Sequence, residues 1–308
     1  MLYNGYIFRK GGALETYFNN DLFNLLKKIF DADKDEFENI YPLKAGMTNV
    51  SFVFTLRGEK YIIRFPGEGT DKFINRLQEA DCYIAIGNLK ISDPTVYFSG
   101  YKGYKIVKYI DDVRLCDPYD FEDIEKCFQV LKGLHGKRLS VNHDFDIFYL
   151  IEYYEDLRNG AQSKYEDYQE VKKNVLSLKK LIDSYDKEHI LCHIDAVPDN
   201  FLITDDRIYL IDWEYAGMQD PHLDIAMFIV YSDYSREQAD KIIDIYFEGK
   251  CSEELRTKIY AYISLAGFLW SNWCEFRELD KSKFARYSDL QYKYAKDYYQ
   301  LVHERTKK

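Results

Sequence analysis

Cysteine is scarce in this sequence, and what there is follows no pattern. Six cysteines occur in 308 residues: Cys82, Cys116, Cys127, Cys192, Cys251 and Cys274. None forms a C-x-x-C pair, which argues against a disulfide framework or a zinc site and leaves reduced thiols as the expectation. Positive charge is short as well. Lysine and arginine number 42 against 52 acidic residues, a formal net charge of −10. A general nucleic-acid binder needs a basic face, so that class is set aside. An acidic protein is compatible with a cationic substrate, although acidity also serves plain solubility. No apolar run reaches the ~18 residues that span a bilayer, so no membrane partner is expected. The opening stretch, "MLYNGYIFRKGGALETYF", has no apolar core followed by a small-residue cleavage site, and a cytoplasmic protein is expected. Repeats and low-complexity tracts are absent too.

What is present is enough for a packed core. Hydrophobic residues make up 46% and charged residues 31%, which disfavours disorder. Residues 15–30 read as an amphipathic helix with Leu22, Leu25, Leu26 and Ile29 near one stripe. Two β-rich runs in "SFVFTLRGEKYIIRF" (51–65) flank Arg57-Gly58-Glu59-Lys60, a hairpin signal. Residues 71–87 read as helix. "TVYFSG" and "YKIVKYI" read as a further strand pair joined by a turn at 100–103. From about residue 111 the pattern is mostly helical, over 120–135, 150–186, 235–248, 253–279 and 284–304. The expected organisation is α+β: a small β-rich N-terminal lobe over 1–110 and a larger, mainly helical C-terminal lobe over 111–308. A cleft between two lobes is where ligand sites tend to lie.

One segment interrupts the helical half: "CHIDAVPDNFLITDDRIYLIDWEY", 192–215. "FLIT" and "IYLI" are short β-forming runs around Asp205-Asp206-Arg207, so they make an antiparallel pair. Asn200 enters the first strand and Asp212 leaves the second, which places them side by side. Asp195 lies on the loop leading in. An amide oxygen and a carboxylate converging there suit a hard cation such as Mg²⁺. The further carboxylate, Asp195, is then available to orient a hydroxyl and accept its proton, the division of labour in phosphoryl transfer. Surface decoration by turn acids is the plainer alternative. His189 and His193, four apart, would share a helix face as in a metal site. Their segment reads as strand and loop, however, and His193 is expected to brace the loop.

The spacing of His193, Asp195 and Asn200, H-x-D-x-x-x-x-N, resembles the catalytic loop of protein kinases. The metal aspartate stands in Asp212-Trp213-Glu214-Tyr215 rather than D-F-G. Together these resemble the choline kinase and aminoglycoside phosphotransferase branch of the protein-kinase-like fold. The resemblance implies ATP and Mg²⁺, with Asp195 as catalytic base and Asn200 and Asp212 as metal ligands. "KAGMTNVSF" (44–52) resembles the loop that covers the nucleotide phosphates, with Gly46, Thr48 and Asn49 at the matching positions and Ala45 in place of a glycine. Arg64 falls where protein kinases carry a phosphate-binding lysine. A guanidinium there binds phosphate bidentately. Glu79 is the candidate partner that orients it, with Asp81 close by. Adenine is expected on backbone groups around Lys108 to Ile110. Asp224, in a G-x-x-x-P-x-x-D-I-A segment, is expected to hold the catalytic loop.

The acceptor is read from "SLAGFLWSNWCEFR" (264–277), where Trp270 and Trp273 share a helix face. A bare W-x-x-W usually fills a core. Beside kinase motifs it resembles the helix that cages a quaternary ammonium in choline kinases by cation–π attraction. Tyr231 or Tyr234 is the expected third wall, and Glu214 or Asp233 the expected nearby acid. The resemblance implies a bacterial-type choline kinase. The rivals are a related kinase of ethanolamine, thiamine or an aminoglycoside, a non-catalytic binder of choline or nucleotide, and a protein kinase. The last lacks support because D-F-G and A-P-E segments are missing.

Overall fold

The structure, a computed structural model, describes residues 17–43, 48–278 and 285–307. The chain divides into two compact units, Met1–Val113 and Arg114–Lys308.

In the first unit, helix α1 (Asn20–Phe30) starts where the Asn19 side chain accepts the Leu22 amide at 3.0 Å. This satisfies one of the donors a helix start leaves unpaired; residues 15 and 16 of the expected helix lie outside the described residues. Leu22 and Leu26, one turn apart, are buried. A strand that the sequence reading did not mark, β1 (Phe37–Pro42), then pairs with β2 (Asn49–Leu56). β2 returns as β3 (Glu59–Pro66) through a two-residue turn, with Arg57 at φ 52° and Gly58 at φ 80°. Positive φ at both positions matches the twist of the strands, which is why a glycine stands there. Helix α2 (Arg76–Ile86) follows, capped by Asn75. Strands β4 (Thr95–Phe98) and β5 (Lys105–Lys108) complete an antiparallel sheet of order β1-β2-β3-β5-β4. One core cluster joins this sheet to α1: Phe52, Phe54, Ile63, Phe65 and Ile106 bury against Leu22 and Leu26.

The second unit opens with the short strand β6 (Arg114–Leu115) and helix α3 (Phe121–His135). The expected helix over 150–186 is two helices, α4 (Ile147–Asp156) and α5 (Tyr168–Asp183). Asn159 at φ 52° and Gly160 at φ 83° turn the chain between them, where a helix cannot continue. β7 (Ile190–Cys192), β8 (Phe201–Ile203), β9 (Ile208–Leu210) and β10 (Gly217–Gln219) follow. β6, β8 and β9 form one small sheet, and β7 pairs with β10 in another. Next come α6 (His222–Tyr231), α7 (Arg236–Phe247), α8 (Glu253–Glu278) and α9 (Ala285–Thr306). α6 was not recognised as a helix in the sequence: it is apolar on nearly every side, so it shows no stripe. α8 is the axis of the unit, packed by α4, α5, α6 and α9. α9 comes so close at Gly267 that a Cβ there would meet the Gln291 carbonyl at 2.6 Å. All six cysteines are free thiols. No helix among the described residues is long and apolar enough to cross a membrane.

Candidate active site

The β8–β9 hairpin sorts its acids by position. Asp205 and Asp206 sit exposed at the tip. At the base, Phe201 pairs with Leu210 and the Ile211 amide donates to the Asn200 carbonyl at 2.9 Å. That bond sets Asn200 beside the chain leading into Asp212. The Asn200 amide nitrogen donates to the Asp195 carbonyl at 2.8 Å and to its carboxylate Oδ2 at 3.0 Å. With the amide NH₂ used this way, the amide oxygen is the end of Asn200 that could hold a cation. Asp212 has φ 65°, a left-handed conformation that aspartate tolerates better than most residues.

These carboxylates repel one another. Burial pushes the Asp195 pKa well above the usual range, and the charges of Asp212 and Glu214 push it further. Such a surplus of negative charge in a desolvated place fits a hard divalent cation, whose oxygen ligands here would be Asn200 and Asp212.

The loop carrying Asp195 is held from below. Asp224, fully buried on α6, accepts the amides of His193 at 3.0 Å and Ile194 at 2.6 Å. Its Oδ2 also lies 2.8 Å from His135 Nε2, and His135 Nδ1 meets the Tyr246 hydroxyl at 2.7 Å. Ile194 stands at φ 69°, a strained place for a β-branched residue that the Asp224 bond stabilises. His193 Nε2–H donates to the Ile211 carbonyl at 3.0 Å, tying the Asp195 loop to the Asp212 loop. Its ring meets the buried Trp213 edge-on at 4.6 Å, and the Trp213 indole N–H donates to the Leu210 carbonyl. His189 lies exposed against Asp144, so the two histidines do not share a site.

Burial lowers the His193 pKa to about 4, against the opposing pull of Asp224 and the Ile211 carbonyl. The unfolded chain therefore takes up this proton first as the pH drops. The stabilisation is complete above about pH 6.5, the unfolded value, and is lost as pH falls through about 4. Relative to His193→Gln, which has no such titration, the wild type should lose about 3 kcal/mol of unfolding free energy between pH 7 and pH 4. Urea unfolding at both pH values measures this. Parallel losses in the two proteins would remove His193 as the cause.

On α8 the two indoles stand nearly perpendicular, centroids 6.1 Å apart at 85°. Trp270 is 8% exposed and Trp273 2%. The Trp270 N–H donates to Met227 Sδ at 3.1 Å, and the Arg277 guanidinium lies 5.6 Å from the Trp273 ring centre. The aromatic brought against Trp270 is Tyr215, edge-on at 5.4 Å. Burial raises the Tyr215 phenol well above its usual range, and Tyr154, Glu214, Asp195 and Asp212 raise it further. Tyr215 thus meets Trp270 with its ring and follows Glu214 directly in the chain. Tyr215 therefore joins the expected Tyr231 and Tyr234 as a candidate third wall. Tyr234 packs on Tyr119 and Phe228, its hydroxyl bound to the Pro118 carbonyl. The Tyr231 hydroxyl donates to Asp199 at 2.7 Å. Asp233 is exposed in a turn, whereas Glu214 is buried. Tyr215 closes the Asp212-Trp213-Glu214-Tyr215 segment, but nothing in that segment's own spacing pairs it with Trp270.

In the first unit, Gly46 lies outside the described residues. Thr48 and Asn49 are buried, and so is Arg64, whose guanidinium pairs with the Glu79 carboxylate on α2. Asp81 is exposed. Arg76, which the sequence reading passed over, donates to the other Glu79 oxygen at 2.8 Å and to Asn49 Oδ1 at 3.0 Å. Its i,i+3 spacing from Glu79 was the available signal. Burial alone would raise Glu79, but Arg64 and Arg76 outweigh it and hold the pKa below the usual range. Two guanidiniums on one carboxylate leave a positive surplus suited to an anion. Of the backbone groups expected to meet adenine, the Lys108 amide donates to the Pro94 carbonyl and the Tyr109 amide to the Lys60 carbonyl. The Lys108 side chain is exposed, and Ile110 is half-buried just beyond β5.

Comparison with known proteins agrees with this chemistry. The choline/ethanolamine kinase family profile matches residues 40–265. Protein LicA of Haemophilus influenzae is 26% identical over 256 residues, covering 79% of this chain and 75% of that protein. The crystal structure of choline kinase LicA from Streptococcus pneumoniae superposes with a TM-score of 0.78 at 27% identity, over 91% of this chain and 98% of that one. A crystal structure of LicA in complex with AMP gives 0.75 at 28% identity, over 92% and 100%.

Proposed function

The chain belongs to the choline/ethanolamine kinase family, and from that premise we propose how its residues divide the work of moving the terminal phosphoryl group of ATP onto choline. The protein is an ATP-dependent choline kinase of protein-kinase-like fold. Residues 1–110 serve the nucleotide and 111–308 the acceptor. AMP in the LicA complex supports nucleotide binding. Arg64 and the Thr48–Asn49 segment at the start of β2 hold phosphate oxygens, and the surplus charge around Glu79 supports this. Asn200 and Asp212 hold Mg²⁺, which when bound neutralises charge on the nucleotide phosphates.

Asn200 engages Oδ2 of Asp195, which leaves Oδ1 to meet the choline hydroxyl. Asp195 takes the hydroxyl proton as that oxygen forms its bond to the terminal phosphorus. The bond from that phosphorus to the bridging oxygen breaks, and ADP leaves. Asp224 and His193 keep the loop in register but touch no reacting atom. Free thiols and the need for ATP support a cytoplasmic location.

The observation that carries the substrate is the aromatic corner of Trp270, Trp273 and Tyr215, with Tyr215 next in the chain to the buried Glu214. A trimethylammonium has no N–H to give a carboxylate, so aromatic faces and diffuse negative charge must recognise it. A desolvated cation–π contact is worth about 2 kcal/mol, roughly thirtyfold in affinity. Trp270→Ala is expected to raise the choline KM by about that factor and leave the ATP KM nearly unchanged. Trp270→Phe recovers part of the loss. Ethanolamine, whose ammonium can donate to Glu214, responds less. An unchanged choline KM in a folded Trp270→Ala protein would make the tryptophan plain core.

A further inference from the structure

We propose that Arg76 is a positioning residue of the nucleotide-phosphate site. It fastens the Thr48–Asn49 segment at the start of β2 to the same carboxylate, Glu79, that orients Arg64. The inference rests on the kinase reading above and goes one step further: the phosphate-holding parts take up their places as one unit, through a residue that need not touch ATP.

Three observations carry it. The Arg76 guanidinium is forked between two acceptors on different elements, Glu79 Oε2 at 2.8 Å and Asn49 Oδ1 at 3.0 Å. Asn49 passes the connection on, its amide nitrogen donating to Thr48 Oγ1 at 3.1 Å. The Arg76 stem is confined as well. Gly103, at φ 68°, presses so close that a Cβ would lie 3.0 Å from Arg76 Cγ and 2.5 Å from Pro66 Cγ. Arg76 is only 9% exposed. A side chain held at stem and fork has little rotamer freedom left to lose when ATP binds. Pro66 also ends β3, the strand that carries Arg64. The Gly67 amide beyond it donates to the Thr48 carbonyl at 2.8 Å. The start of β2 and the end of β3 are therefore joined twice, once by backbone and once by Arg76.

The consequence is selective. Loss of Arg76 should loosen the grip on phosphates and leave the grip on the nucleoside alone. Calorimetric titration with MgATP and with adenosine separates the two. Arg76→Gln is expected to weaken MgATP by about 10- to 30-fold, the effect of losing one charge-assisted bond. Adenosine affinity and the choline KM should stay within about twofold. Arg76→Lys keeps the charge but has no planar fork to span both acceptors, so it recovers only a minor part. Asn49→Ala, a smaller change for the core, should give a similar loss, and the double variant should lose no more than the worse single variant. Equal weakening of MgATP and adenosine, wild-type MgATP affinity, full rescue by lysine, or additive losses would each overturn the proposal. Turnover of choline by the wild-type protein is scored separately, so failure of the kinase reading would not be mistaken for failure of this one.

Discussion

Asp212→Asn is expected to leave a well-folded protein with no detectable turnover, a fall of at least about 10³-fold. Asparagine is the informative replacement because Asp212 stands at φ 65°, and asparagine accepts that conformation where alanine adds strain. The change removes one negative charge and little else. That charge has two opposite effects. It raises the Asp195 pKa, which costs free energy in the folded protein without metal. It is also a proposed ligand for a cation that would neutralise charge on the nucleotide phosphates. The metal-free variant should therefore unfold at the same or a higher temperature than the wild type, while the stabilisation conferred by MgATP shrinks. Thermal melts with and without MgATP, beside a choline phosphorylation assay, measure both. Turnover near the wild-type rate at saturating Mg²⁺ would show that Asp212 is not an essential ligand.

Asp195→Asn is expected to lower kcat by about 10²–10⁴, the usual contribution of a general base. Shape is kept, and the replacement amide can turn its oxygen toward Asn200 Nδ2, so the loop keeps the bond that Asn200 now makes to the carboxylate. The proton acceptor is gone. The ATP KM should change little, because the base acts on the acceptor hydroxyl. kcat and kcat/KM for choline should fall together, as they do when an interaction of the transition state is lost. Near-normal turnover would remove Asp195 from the mechanism. A fall in kcat with an equal rise in the ATP KM would point to a disturbed loop instead.

Part of this site was legible because its geometry is local. His193, Asp195, Asn200 and Asp212 lie on a single hairpin and its lead-in loop. Two short β-forming runs around a turn impose antiparallel pairing, and pairing imposes who stands beside whom. The same holds for the Arg57-Gly58 turn, where two positive φ values follow from a two-residue connection. Helix ends were less legible. The 150–186 region is helical in pattern throughout, yet the chain leaves the helix after Asp156. There, the Glu275 carboxylate on α8 takes the Arg158 guanidinium, the Ser163 hydroxyl and the Lys164 amide. A tertiary partner outweighed local propensity.

By itself the sequence determined the α+β organisation, the hairpin that sets Asn200 beside the chain leading into Asp212, and the shared helix face of Trp270 and Trp273. Each follows from spacing within one element or one turn. Only the tertiary structure decided which tyrosine meets those indoles, which arginine shares Glu79 with Arg64, and what braces the catalytic loop. Tyr215 reaches Trp270, Arg76 reaches Asn49, and Asp224 reaches the amides of His193 and Ile194. The physical reason is that periodicity tells which face of an element is apolar, or which residues neighbour one another along it. It does not tell what another element, folded from a distant stretch of chain, will bring against that face. Buried ion pairs and aromatic contacts are chosen by that meeting, through desolvation and close packing, and those exist only once the elements have come together.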